Sequence, residues 1–289
     1  MNPATFAYHR ADSVDSAIAL LEQYGEEAKL IAGGHSLLPI MKLRLAAPSH
    51  LIDITRIDGL HGIRDEGDRL VIGALTTHHE VERDDLVRTL MPLLAETASV
   101  VGDRQVRNRG TIGGALAHAD AAADYPAAIL ALNAELAAVG PEGERLIAAG
   151  DFFLDFLTTA LTPAELLTEI RIPKLPPRTG SNYQKLANQA SGYAVAGVAA
   201  VVTLDDAGAV ADVRVGITGT VAAARRAAAT ESALMGKQAD EAAIQRAADL
   251  ATEGLEPLAD LHASAEYRSR VTRGLTRRAL TAAVARARG

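Results

Sequence analysis

Lys29 to Ser36 reads KLIAGGHS: a short apolar run that stops at two glycines and then restarts as a helix. It has a counterpart at Arg109 to Ala115, RGTIGGA, eighty residues on from Gly33 to Gly113. A glycine pair behind a strand lets the backbone approach a ligand closely, because there is no Cβ to hold it off. Amide groups exposed at such a turn, and at the helix start behind it, bind phosphate oxygens. One glycine pair alone is as compatible with a tight turn as with a binding loop. Two at comparable strand ends in one domain point to a long ligand with a diphosphate in its middle. No G-x-G-x-x-G opens a helix and no acidic residue follows at the dinucleotide spacing, so a Rossmann domain is disfavoured.

Working outward, the N-terminal flank carries Ser13 as N-cap and Val14, Ala17, Ile18 and Leu21 at helical spacing until Gly25. Leu30-Ile31 then reads as a strand. Ser36 to Leu45 reads as a helix with Pro39 in its first turn, where a missing N–H costs little. Beyond it come a strand at Leu51–Ile54, a hairpin over Gly62–Ala74 and helices at Thr77–Arg83 and Pro92–Ser99. After the second glycine motif we expect a helix at Ala123–Leu132, a hairpin with strands at Glu135–Val139 and Arg145–Ala149, and a strand at Leu167–Ile172. The prolines of KLPPRT, Lys174–Thr179, set a boundary near residue 177. Past it, Val195–Leu204 and Val210–Thr218 pair around Asp205-Asp206-Ala207-Gly208. Three helical stretches close the chain at Ala222–Met235, Asp240–Glu253 and Ala263–Arg286. The class is α+β, with domains at 1–177 and 178–289.

Composition narrows the function. The 289 residues are 48% hydrophobic with 3% aromatic and no Trp, so the cores are built from Ala, Val, Leu and Ile. A net charge of −7 argues against a general binder of nucleic acid or anionic membrane. With no Cys, the chain has no thiolate for an iron-sulfur cluster, so any such cluster sits on a partner. The N-terminus lacks a signal-peptide pattern. The longest apolar run, Ala194–Val202, is far too short to span a membrane. The expected location is the cytoplasm, with contact at the inner face of the membrane at most peripheral.

The stretches AGGHSLLPIMKLRL (Ala32–Leu45), RNRGTIGGALAHADAAADYPAAILAL (Arg107–Leu132) and the region of Lys185 and Gly192-Tyr193 together resemble the FAD-binding medium subunits of molybdenum hydroxylases, nearest to the aerobic carbon monoxide dehydrogenase branch. The likeness runs through nearly the whole chain. It implies a two-subdomain FAD-binding domain of the PCMH (vanillyl-alcohol-oxidase-like) type, followed by a small antiparallel sheet with a helical cluster. It implies that Ala32, Gly33, Gly34, His35, Ser36 and Leu37 wrap the FAD diphosphate, and that Thr111, Ile112, Gly113 and Gly114 complete the cradle. It places Asp124 on the sugar-like part of the cofactor, and Lys185 and Tyr193 beside the flavin ring. Members of that family usually carry Asn after the second glycine pair; Ala115 stands there in this chain and removes a side-chain hydrogen bond. The molybdenum cofactor and [2Fe-2S] clusters are then expected on a large and a small partner subunit, in a dimer of heterotrimers, with this chain relaying electrons to an external acceptor. No catalytic residue and no metal ligand is assigned to the chain.

The residue chemistry is consistent with these roles. An ionised carboxylate such as Asp124 only accepts hydrogen bonds, which suits sugar hydroxyls. Tyr193 offers a flat face and a phenol edge. Without the resemblance, Asp124 reads as an N-cap and Tyr193 as core. A Gly-Gly-His-Ser run also occurs in oxidases whose histidine is bonded to the flavin; a dissociable FAD is expected here. His78-His79 and His118-x-Asp120 lack further metal partners at a recognisable spacing and read as loop residues or as residues supporting a site from behind. Arg270, Arg273 and Arg277 share one helical face, read as solvated or as a subunit contact. The functional alternatives are the flavin subunit of a sibling hydroxylase for aldehydes or N-heterocycles, a free-standing FAD oxidase, and a non-catalytic assembly protein.

Overall fold

The structure, a computed structural model, describes residues 2–289. Its N-terminal part is a three-stranded parallel sheet in the order β1-β3-β2, from β1 (Ala7–Arg10), β2 (Ala28–Ile31) and β3 (His50–Asp53). Parallel neighbours need crossover connections, and α1 (Val14–Tyr24) and α2 (Leu37–Lys42) lie in them. Ser13 and Ser16 form a reciprocal cap at the start of α1. The helix buries Ala17, Ile18 and Leu21, the apolar stripe visible in the sequence. α2 stops at Lys42 rather than continuing to Leu45, because Arg44 adopts a left-handed φ of 58° and the Leu45 amide bonds back to the Ile40 carbonyl.

The second unit is a five-stranded antiparallel sheet of order β4-β5-β10-β6-β7. Its first hairpin is β4 (Ile63–Asp65) and β5 (Arg69–Gly73). A helical insertion follows: α3 (His78–Arg83), α4 (Asp85–Leu90), α5 (Pro92–Ser99), α6 (Arg104–Arg107), α7 (Ile112–His118) and α8 (Tyr125–Ala131). The chain returns through the hairpin β6 (Glu135–Gly140) and β7 (Gly143–Ala148), a short α9 (Ala149–Phe152), a small ribbon β8 (Phe153–Asp155) and β9 (Thr158–Thr159), and the central strand β10 (Leu166–Pro173). Of the insertion, α4, α6 and α7 were not evident from periodicity. α7 opens with two glycines, whose low helix propensity hides it.

The third unit is an antiparallel sheet β11-β12-β13-β14, made of β11 (Thr179–Ala187), β12 (Ala194–Leu204), β13 (Val210–Thr218) and β14 (Arg225–Arg226), with α10 (Ala228–Leu234), α11 (Glu241–Asp249) and α12 (Ala265–Arg288). β12 is buried on both faces. Ala196, Val198, Ala200 and Val202 join the core under α11 and α12, while Ala199 and Val201 join the core that also holds β5, β6, β10, α5 and α8. Two buried faces explain why this stretch reads as an unbroken apolar run. β11 escaped the sequence reading because TGSNYQK has no apolar alternation. It exists because it pairs along its length with β12 and lies under α12, where a Cβ on Gly180 would come within 2.0 Å of the Ala283 carbonyl oxygen. Among the described residues no helix is long and apolar enough to cross a membrane.

Candidate functional site

The two glycine motifs meet in space. A Cβ on Gly33 would lie 2.1 Å from the Arg109 carbonyl oxygen and 2.8 Å from the Gly110 Cα, so the loop after β2 rests directly on the backbone of the second motif. On the other side a Cβ on Gly114 would lie 4.0 Å from the Ala32 Cβ. Gly34 has φ of +75°, a conformation costly for any residue with a Cβ, and this turns the chain into α2.

The motifs differ in what their amides do. Among the described residues, none of the six consecutive N–H groups of Ala32, Gly33, Gly34, His35, Ser36 and Leu37 finds an acceptor in the protein. They form a run of unspent donors at the half-buried start of a helix, where backbone dipoles also favour negative charge. In the second motif the amides are largely spent. Ile112 donates to the Thr76 carbonyl (3.0 Å), Gly113 to Ala74 (2.9 Å), Gly114 to the Thr111 hydroxyl (3.1 Å) and Ala115 to the Thr111 carbonyl (3.0 Å). Only the Thr111 amide of that motif is without an acceptor among the described residues. Ile112 and Gly113 are buried, and a Cβ on Gly113 would sit 2.4 Å from the Ala74 Cβ, whereas Gly114 is exposed. The second motif is therefore not at a strand end like the first. It is the capped first turn of α7, tied to the Thr76–His78 segment by an isolated bridge between Thr77 and Thr111.

Beneath this tie lies His78, 4% exposed, its amide donating to the Gly110 carbonyl (2.9 Å). A Cβ on Gly110 would meet His78 Nε2 at 2.6 Å, so Gly110 makes room for the ring. Burial, reinforced by the charges of His35 and Arg107, pulls the His78 imidazole down to about 4, so it is neutral at pH 7. Arg107 in turn pairs with Glu82 at 3.0 Å and donates to the Val101 carbonyl.

Asp124 is 4% exposed and caps nothing: its side chain makes no bond to the α8 amides. Instead Oδ1 accepts from the Tyr183 hydroxyl (2.7 Å) and Oδ2 from Lys185 Nζ (2.8 Å), and Lys185 also donates to the Val100 carbonyl (2.9 Å). Burial raises the Asp124 carboxyl, against the opposing pull of Lys185 and Tyr183. Each carboxylate oxygen keeps a second lone pair. Tyr193 is 41% exposed, so it is not core. It closes a tight loop in which the Asn188 amide bonds to the Tyr193 carbonyl and the Asn188 side chain accepts from Ala190 and Ser191. Its phenol is raised by burial and by Asp120, with nearby Ser36 of the first glycine loop acting the other way. Ser36 of the first glycine loop and Tyr193 of the third unit therefore lie close to each other. Tyr183, Gly197, His78 and Arg107 were not singled out for this site. Gly197 makes room for Tyr183, since a Cβ there would be 2.3 Å from the phenol oxygen, and no short motif announces such a distant fit.

With that geometry in place, the family profile described as "FAD binding domain in molybdopterin dehydrogenase" matches residues 4–175. This chain belongs to the FAD-binding medium subunits of the molybdenum hydroxylases. A second profile, "CO dehydrogenase flavoprotein C-terminal domain", matches this flavin subunit over residues 181–283. The subunit is 44% identical to the carbon monoxide dehydrogenase medium chain of Hydrogenophaga pseudoflava, over 99% of both chains. It is 39% identical to the 6-hydroxypseudooxynicotine dehydrogenase complex subunit alpha of Paenarthrobacter nicotinovorans, covering 100% of this chain and 97% of that one. Among solved structures it superposes on carbon monoxide dehydrogenase from Hydrogenophaga pseudoflava with a TM-score of 0.96 at 46% identity, over 99% of each chain. The flavin subunit is thus an FAD-binding oxidoreductase component, and its α+β fold is that of the family. The relatives are named as chains or subunits of dehydrogenase complexes, and this one is likewise a subunit with partners.

Proposed function

We propose that this subunit holds FAD without a covalent bond, with the diphosphate on the amides of Ala32 to Leu37 and the flavin ring against Tyr193. The observation that carries this is the run of six amides with no protein acceptor among the described residues, at a helix start and near Tyr193. A diphosphate carries about two negative charges, which such a run offsets without a buried lysine. Thr111 lends its free amide, and the exposed Gly114 keeps the opposite wall low enough for close approach. Ile112 and Gly113 act from behind, by fixing α7. Asp124 orients Lys185 and Tyr183 and has lone pairs left for a sugar hydroxyl. When bound, FAD supplies the redox chemistry; the chain contributes binding, orientation and a polar surrounding.

By this proposal the subunit takes electrons from iron-sulfur clusters on a small partner, fed by a large molybdenum-containing partner, and passes them to an external acceptor. The complex is a dimer of such heterotrimers, at most peripherally bound to the inner face of a membrane. Carbon monoxide is the proposed substrate of the assembly, because chains named as its dehydrogenase are 44% and 41% identical over essentially the full length. The second reading is a hydroxylase of N-heterocycles, favoured by 33% identity and a TM-score of 0.93 to quinoline 2-oxidoreductase from Pseudomonas putida 86. We further propose that the chain divides near residue 177 into the FAD-binding part and the part carrying Lys185 and Tyr193.

Two measurements test this. The chain refolded with FAD is expected to be yellow and to release all flavin on denaturation; colour retained by the denatured polypeptide would refute non-covalent binding. The assembled complex is expected to reduce a dye with carbon monoxide. Reduction driven by quinoline and not by carbon monoxide would select the second reading.

A further inference from the structure

We infer that Arg268, on α12 and remote in sequence from either glycine motif, is the positioning residue that fixes Tyr193 and the 121–124 turn. Its guanidinium is buried, with the residue 3% exposed, yet its one salt bridge among the described residues is to the exposed Asp260, at 2.6 Å. Its other contacts are backbone: Nη1 donates to the Val195 carbonyl (2.5 Å) and to the Gly219 carbonyl (2.6 Å). These two carbonyls belong to the first residues of β12 and to the turn leaving β13. Both segments then reach back to the site. The Ala194 amide donates to the Ala122 carbonyl (3.1 Å), the Gly219 amide to the Ala121 carbonyl (2.6 Å), and the Thr218 hydroxyl to the carbonyls of Ala121 and Ala123.

One side chain thus joins the strand that starts directly after Tyr193 to the Gly219 turn, and both of these bond the 121–123 carbonyls just before Asp124. The joint has no slack. Gly219 has φ of +73°, and a Cβ on it would lie 2.6 Å from the Ala194 carbonyl oxygen. Arginine suits the task because a planar fork can hold two carbonyls and a carboxylate at once, whereas a lysine ammonium is a point donor. Buried carbonyls left without a donor are costly, so loss of the fork releases both segments together. Arg268 makes no hydrogen bond to either glycine motif among the described residues, and its effect on a bound flavin passes through Tyr193 and the Asp124 turn.

The inference rests on the proposal that Tyr193 faces the flavin, and the experiment separates the two. Full-length chain carrying Arg268→Gln, Arg268→Lys or Tyr193→Ala is compared with the native chain by amide hydrogen exchange and by FAD titration with visible spectra. Arg268→Gln is expected to raise exchange about tenfold or more over 120–124, 193–196 and 218–221 while leaving α11 unchanged. It is also expected to shift the flavin spectrum toward that of Tyr193→Ala, with Arg268→Lys intermediate. Unchanged exchange in those segments overturns the inference, as does a shift confined to the melting temperature. If Tyr193→Ala leaves flavin spectrum and affinity untouched, the placement of the flavin fails instead, and the exchange data alone then decide whether Arg268 positions these segments.

Discussion

The two glycine motifs look alike in sequence, AGGHS and TIGGA, yet they do opposite jobs with their backbones. In the first, six amides in a row are left without a protein acceptor among the described residues, and Gly34 turns the chain through a left-handed φ. In the second, four of five amides are spent on Thr76, Ala74 and Thr111, and Gly113 exists because Ala74 packs where its side chain would be. One motif leaves its donors free and the other spends them on the protein's own backbone and on Thr111. A glycine pair therefore marks close approach without saying whether a ligand or the protein's own backbone does the approaching.

The largest expected effect strikes where the loops touch. Gly33→Val puts a side chain into the Arg109 carbonyl, 2.1 Å from the Cβ, and neither backbone can move without unseating its strand or cap. Overpacking of this kind costs about 1–3 kcal/mol or more. FAD affinity by fluorescence titration is expected to fall beyond detection while far-UV circular dichroism is retained. Retained affinity would mean that the loops need not meet.

Next comes the buried pair of Asp124 and Lys185. Lys185→Met leaves the buried Asp124 carboxylate without its cation, a loss of about 3–5 kcal/mol for breaking a buried pair from one side. Chemical denaturation should show that loss, and the double variant Asp124→Asn with Lys185→Met should recover most of it. If the double variant is as weak as the single, the pair is not an energetic unit.

The tie beneath the second motif gives a pH signature. His78 has a folded pKa of about 4 against 6.5 unfolded, so the unfolded chain takes up the proton first. Its contribution is fully present above pH 6.5 and is lost as pH falls toward 4, at most about 3 kcal/mol. In a folded His78→Gln variant this component of the pH slope of stability should vanish. The acid branch from Glu165, which Arg145 holds down to about 2, lies below that window and should persist.

The smallest effect separates scaffold from donor. Thr111→Ala removes the cap of α7, worth about 1 kcal/mol, and Thr111→Ser should restore it. If the motif serves mainly as scaffold, FAD affinity changes only a few-fold; a loss as deep as that of Gly33→Val would make the two motifs equal partners.

Much of this was legible in the chain because it depends on local rules. Ser13 before an apolar stripe, Asp205–Gly208 between two apolar runs and Pro173 at the end of a strand each act within a few residues, and each element appears where those signals put it. α7 and β11 were not legible, because glycines at a helix start and a polar strand are stabilised by partners far away in sequence. The same limit applies within the site. AGGHS shows a turn able to bind an anion, but that Asp124 binds Lys185 and Tyr183 instead of capping α8 is a matter of three buried groups converging from two units.

By itself the sequence determined the class of the fold, the two glycine loops, the lack of thiolate ligands and, by resemblance, the flavin-subunit family. Those follow from residue type, spacing and composition, which the chain carries locally. Only the tertiary structure decided which loop keeps its amides free, which glycines make room for protein, and that Arg268 grips the strand behind Tyr193. These depend on which backbone groups find partners, and that is settled only when segments far apart in the chain are packed against one another.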